Sequence, residues 1–173
     1  MKELKSGIDY AYDVVNDNDK IIGKASYKEL YSKNLLHRIV HIFLFNRRGE
    51  LFLAKRSKKV YLFPSYWGAS ASGMVPIGKN YLSAAKMELK EDLGPPTKLT
   101  FLFKVRVRKP QNRFIAVFKA YYNGKFKLDP DEVAGGRFFR IGEIKRIMKN
   151  KNAKITPGFK ATFREYLKRF NKS

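Results

Sequence analysis

The run from Gly73 to Gly94, GMVPIGKNYLSAAKMELKEDLG, constrains the fold more than any other stretch of the chain. Asn80 is a residue type that caps helix N-termini and Gly94 one that ends helices, while Leu82, Ala85, Leu89 and Leu93 recur between them at helical spacing. The spacing predicts an amphipathic helix whose apolar stripe must be covered by a core. On that helix Glu88, Glu91 and Asp92 stand at i, i+3 and i+4, so their side chains converge on one patch. Three like charges repel there, and the C-terminal half of a helix disfavours anions. A bound Mg²⁺ or Mn²⁺ relieves both costs, because hard cations take carboxylate oxygens. The alternative is a solvated face balanced by Lys86 and Lys90.

The remaining pattern supplies strands to cover the helix. Val14 to Lys20 reads as a strand end entering an Asn/Asp turn before Ile21 and Ile22. Arg38 to Asn46 is a β-branched and aromatic run that turns at Arg47, Arg48 and Gly49 into Leu51 to Ala54. Tyr61 to Ser72 reads as an aromatic loop entering a strand. Thr100 to Arg108 and Arg113 to Tyr122 are expected strands, with a shorter one at Gly136 to Arg140. Helices are expected over Ile141 to Lys149 and Pro157 to Phe170. Hairpins and helices intermixed in this order predict an α/β fold with a mixed sheet. No linker or repeat divides the chain, so residues 1–173 are expected to form one domain.

Composition narrows the chemistry. The absence of cysteine excludes disulfides, thiolate metal ligands and a cysteine nucleophile. No apolar stretch approaches the roughly 18 residues of a membrane span, and MKELKSGIDY lacks the apolar centre of a secretory signal, so the expected location is cytoplasmic. Lys and Arg number 37 against 15 Asp and Glu, a formal charge of +22. Such a surface attracts polyanions, with RNA and the ribosome among the candidates; a lysine-rich composition without a ligand is the alternative.

The spacing from Gly73 to Pro95 resembles the Nudix box, in which Gly, five residues, Glu, seven residues and Arg-Glu precede an apolar residue, any residue, Glu-Glu, any residue and Gly. Lys79 stands at the first glutamate, Met87 at the arginine and Pro95 at the closing apolar position. The resemblance implies a Nudix-type α/β/α sandwich and hydrolysis of a diphosphate-containing substrate, a nucleotide or another X-linked or capped diphosphate, with Mg²⁺ or Mn²⁺ as cofactor. It assigns Glu88, Glu91, Asp92 and the carbonyl of Ser72 to the metal, with Glu88 and Glu91 as catalytic groups. Lys79 and Met87 remove together a pair that the family uses to support the carboxylates, a loss that weakens activity. Asp131 and Glu132 resemble a late family acid. The other reading is a Nudix fold without catalysis that binds RNA, a ribosome or another polyanion.

Similarity beyond the box, in VVNDNDKIIGKASYKEL, LLHRIVHIFLFN, GELFLAKRS and ITPGF, is to the Nudix branch that includes isopentenyl-diphosphate isomerase. Isomerase chemistry is not expected, since Ser72 replaces the cysteine before the box glycine and Met74 the histidine after it. His37 matches a family histidine, but Gln111 and Arg113 stand near an expected carboxylate pair, so His37 is expected to be a hydrogen-bonding strand residue, sharing its face with His41. Lys104, Arg106 and Arg108 share one face of a strand and, with Arg38, Arg56 and Lys58 or Lys59, are the expected substrate-binding cations. Tyr61, Phe63, Tyr66 and Trp67 either stack a base or pack in the core. The last helix sets Lys160, Arg164, Lys168 and Lys172 opposite Phe159, Phe163, Tyr166 and Phe170.

Overall fold

A computed structural model describes residues 11–94 and 97–170. Pro95 and Lys172 therefore lie outside the described residues. A hairpin of β1 (Ala11–Val15) and β2 (Ile21–Ser26) leads to the short helix α1 (Tyr27–Ser32). The main sheet contains β3 (His37–Phe45), β4 (Leu51–Arg56), β5 (Trp67–Gly68), β6 (Ala71–Met74), β7 (Thr100–Val107), β8 (Arg113–Tyr121) and β9 (Val133–Phe139). Its main path runs β5-β4-β3-β8-β7, with β6 also paired to β3 and β9 to β4. The sheet is mixed because β3 and β8 run parallel, whereas β6 lies antiparallel to β3 and β7 to β8.

β3 is buried on both faces, which accounts for its nearly unbroken apolar sequence. Ile39, Phe43 and Phe45 meet Phe159 and Phe163 of α4 (Pro157–Phe170) in one core. Val40, Ile42 and Leu44 meet Ala84, Ala85 and Leu89 of α2 (Tyr81–Asp92) in the other. The helices therefore cover opposite faces, with α3 (Ile141–Lys149) contributing Ile144 to the α4 side. Full burial of a side chain such as Phe159 or Phe163 stabilises by about 1.5–3 kcal/mol.

Asn80 caps α2 as expected: it accepts from Ser83 N–H while the Ser83 hydroxyl accepts from Asn80 N–H. Leu82, however, is 41% exposed, and Ala84 takes the buried position beside Ala85 because the sheet lies flush against those two small residues. β9 begins at Val133, ahead of the expected Gly136, and Gly136 admits no side chain: a Cβ there would meet the Phe52 ring at 2.3 Å. Helix α1 was not expected. Its signal was Ser26-Tyr27-Lys28-Glu29, a capping box in which Ser26 and Glu29 satisfy each other's backbone N–H.

Asp19 ties the layers together. Its carboxylate accepts from Arg38 on β3 at 2.6 Å, from Tyr81 on α2 at 2.9 Å and from Lys104 on β7.

Candidate active site

A cavity of about 410 Å³ opens between α1, α2, the β5–β6 segment and the N-terminal end of α4. The box places its acids there: Glu88, Glu91 and Asp92 from α2 line it, with Ser72 and Gly73 from β6 and Glu132 from the loop before β9. Gly73 matters at this point because the Glu88 carboxyl rests against its α-carbon. A Cβ on Gly73 would stand 2.0 Å from Glu88 Cδ, so only glycine leaves that carboxyl room. Asp92 is 8% exposed and accepts the Ser72 N–H at 3.3 Å, which joins the end of α2 to β6.

Burial and the surrounding acids push the Glu88 carboxyl well above the usual glutamate range, Asp92, Glu91 and Glu132 all adding to the effect. Asp92 is pushed up to about 7, first by burial, against which the Ser72 N–H and Arg56 act, while Glu132 and Glu91 raise it further. Neither shift would arise on a solvated face balanced by lysines; the acids meet in a buried cleft, where desolvation and their mutual repulsion raise them. Among the described residues, no hydrogen bond or ion pair reaches the Glu88 carboxyl.

The residues fit a divalent cation in type: hard oxygen donors, two of them raised by burial and by the neighbouring acids, which a bound cation would offset. No three acidic or histidine side chains among the described residues already converge in a closed ligand set. The carboxylates share a cleft with water access, which suits a cation that keeps part of its hydration shell.

Lys79 and Met87, the altered box positions, both line the cavity. Lys79 is exposed and forms no ion pair among the described residues, so it does not neutralise the acids. Of the expected substrate-binding cations, Arg56 lines the cavity, its Nε donating to Leu62 O at 2.9 Å. The others lie outside the lining. Arg38 and Lys104 are held by Asp19, Arg106 pairs with Asp17 and packs over Phe114, and Lys59 pairs with Asp131 at 2.7 Å. Arg108 lies on the surface just past the end of β7. Asp131 faces that surface pair, whereas its neighbour Glu132 faces the cleft.

The α4 side of the cavity carries groups that sequence reasoning undervalued. His41 is buried and lines the cleft, pushed down to about 3 by burial and by the charges of Arg113 and Arg56, so it is a neutral imidazole. The Thr162 hydroxyl donates to the Gly158 carbonyl, leaving its oxygen to accept the His41 Nδ1–H at 3.1 Å. Nε2 of His41 is then an acceptor. His37 is outside the lining, its Nδ1 donating to Leu35 O at 2.9 Å, in keeping with a strand residue. Tyr12, Tyr27 and Tyr31 form a further wall, and Phe63 lines the cleft where Tyr61, Tyr66 and Trp67 do not. The period of the Ser26 capping box, which sets Tyr27 and Tyr31 four apart on one helix face, was the available signal for two of the tyrosines.

Comparison with known proteins agrees with this geometry. Residues 35–159 match the NUDIX domain model. An uncharacterized Nudix hydrolase of Pseudomonas aeruginosa is 33% identical over 132 residues, spanning 73% of this chain and 76% of that one. An isopentenyl-diphosphate Delta-isomerase of Pectobacterium atrosepticum is 28% identical over 156 residues, 87% of each chain. Among solved structures, a Deinococcus radiodurans protein superposes with a TM-score of 0.79 at 21% identity over 90% of this chain and 98% of its own. A MutT protein from Methanosarcina mazei gives 0.65 at 19%, over 80% and 96%. The box spacing, the sheet it packs on and the family match together make this chain a member of the Nudix family.

Proposed function

We propose that the chain is a divalent-metal-dependent hydrolase of a diphosphate-containing substrate, a nucleotide or another X-linked diphosphate. The observation that carries the reading is the Glu88 carboxyl, seated on Gly73 in a cleft shared with Glu91, Asp92 and Glu132 and raised by burial and by their charge. Glu88 and Glu91 would hold Mg²⁺ or Mn²⁺, with Asp92 and the Ser72 carbonyl as further oxygens. When bound, the cation supplies neutralisation of the diphosphate charge and acidifies water. The chain's own groups orient the reaction: the Ser72 N–H fixes Asp92, and Arg56 adds a cation to the same cleft, its charge acting on Asp92. Loss of the Glu/Arg pair at Lys79 and Met87 lowers activity by about 10- to 100-fold relative to an intact box.

The test is phosphate release from a panel of diphosphates with Mg²⁺ or Mn²⁺. Release by the wild type, abolished in Glu88→Gln and Glu91→Gln, supports the reading; no release from any member, or release unchanged by both substitutions, sinks it. The net charge of +22 favours a second reading, a polyanion-binding protein without catalysis, for which RNA is the candidate ligand. Steeply salt-dependent RNA binding that survives both substitutions, with no phosphate release, would select it.

A further inference from the structure

Arg113 is a charged side chain in a place that penalises charge. It opens β8, is 8% exposed, lines the cavity, and its Nε has no hydrogen-bond partner among the described residues. No carboxylate pairs with it among the described residues. Burial pushes its guanidinium down from the usual arginine value, the Arg56 charge acts the same way, and only Tyr31 and Tyr27 oppose them. Nature tolerates an unpaired buried cation poorly, since leaving one charge of a buried pair alone is among the costliest arrangements in a protein.

The surroundings answer that charge in one way. Arg113 Nη2 lies against the first turn of α4, 2.8 Å from where a Cβ of Gly158 would be, so the guanidinium sits on the helix end that attracts anions. His41, with its ring 3.3 Å from the same point, is neutral and offers no negative charge. The hydroxyl of Tyr12, also in the cavity wall, is buried without a partner among the described residues. Arg113 and His41 both approach Gly158 on α4, whereas the box acids come from α2, which covers the opposite face of the sheet, so Arg113 brings its charge into the cavity from a different element than the acids.

We propose that Arg113, seated on the first turn of α4, is an oxyanion-binding residue separate from the box acids, and that the substrate carries a second anionic group, phosphate or carboxylate, beyond its diphosphate. The substrate clause rests on the hydrolase reading; the oxyanion site does not. An anion there completes the five-donor fork of Arg113 and removes the penalty of its burial. Gly158 keeps the site open, because a methyl group at that position would push the guanidinium away.

The experiment is a calorimetric titration of inorganic phosphate into the full chain in EDTA at about 0.15 M salt, where loose surface binding is screened. One phosphate per chain is expected, weakened about tenfold or more in Arg113→Gln and severalfold in Gly158→Ala, which keeps the charge but displaces it. The surface variant Lys168→Gln is expected to bind within twofold of wild type. Competition by acetate identifies a carboxylate site; its absence identifies a phosphate site. If the wild type takes up no phosphate, or both Arg113→Gln and Gly158→Ala bind it normally, the proposal is overturned. Because metal is absent, a chain that binds phosphate through Arg113 but hydrolyses nothing refutes the hydrolase alone. With turnover, Arg113→Gln raises KM for diphosphates bearing a second anion and leaves KM for those without one unchanged.

Discussion

Gly73→Ala gives the sharpest perturbation of the box. The added Cβ would lie 2.0 Å from Glu88 Cδ and 2.1 Å and 2.3 Å from its oxygens, whereas ordinary contact begins at 3.4 Å. The carboxyl must therefore retreat by about 1.4 Å, the difference between those contacts. Functional groups need placement to about 0.5 Å, and a 1 Å error costs on the order of 100-fold. Gly73 has no left-handed backbone and sits in β6, so alanine is accommodated there, and the obstructing atoms are the end of a flexible side chain. The expected result is a loss of about 100-fold in turnover and a weakened Mn²⁺ affinity by electron paramagnetic resonance, with folding stability within about 1 kcal/mol of wild type. Glu88→Gln should be at least as damaging, and the double variant no worse than Glu88→Gln alone, since both act through one carboxyl. Gly73→Ala with wild-type Mn²⁺ affinity and turnover would refute the reasoning that Glu88 works from its seat on Gly73.

Other outcomes follow from the same geometry. Asp92 titrates at about 7 in the folded chain against an ordinary value of 3.8, so the folded state holds the extra proton between those limits; metal-free melting temperature should fall across that window as pH rises, more in wild type than in Asp92→Asn, and equal slopes would refute the shift. Mn²⁺ affinity should climb over the same range as the proton leaves. Restoring the box with Lys79→Glu and Met87→Arg together should raise turnover about 10- to 100-fold, and an unchanged rate would show that the pair had no supporting role here. Asp19→Ala leaves Arg38 and Lys104 without their shared carboxylate and should cost about 1–3 kcal/mol in urea unfolding, with no effect on metal affinity.

The helix and its acids were legible because they rest on local signals: Asn80 caps, Gly94 ends, and i, i+3, i+4 spacing brings Glu88, Glu91 and Asp92 to one side. The buried run of β3 likewise announces itself. What the sequence hid depends on long-range packing. Lys104 and Arg106 share a face as expected, but the chain folds Asp19 and Asp17 over them, and nothing near residue 104 signals a partner at residue 19. Arg113 read as a departure from a family pattern; only the meeting of β8 with the first turn of α4 makes it a buried cation facing the cleft. Leu82 satisfied the helical period yet remains exposed, because Ala84 and Ala85 let the sheet approach on a slightly rotated face.

The central claim is that the box acids hold a divalent cation despite the loss of their supporting pair. Anomalous diffraction from crystals soaked in Mn²⁺ tests it most directly. The prediction is a peak at bonding distance from Glu88 and Glu91 that vanishes in Glu88→Gln; the absence of any peak beside these carboxylates in the wild type would contradict it.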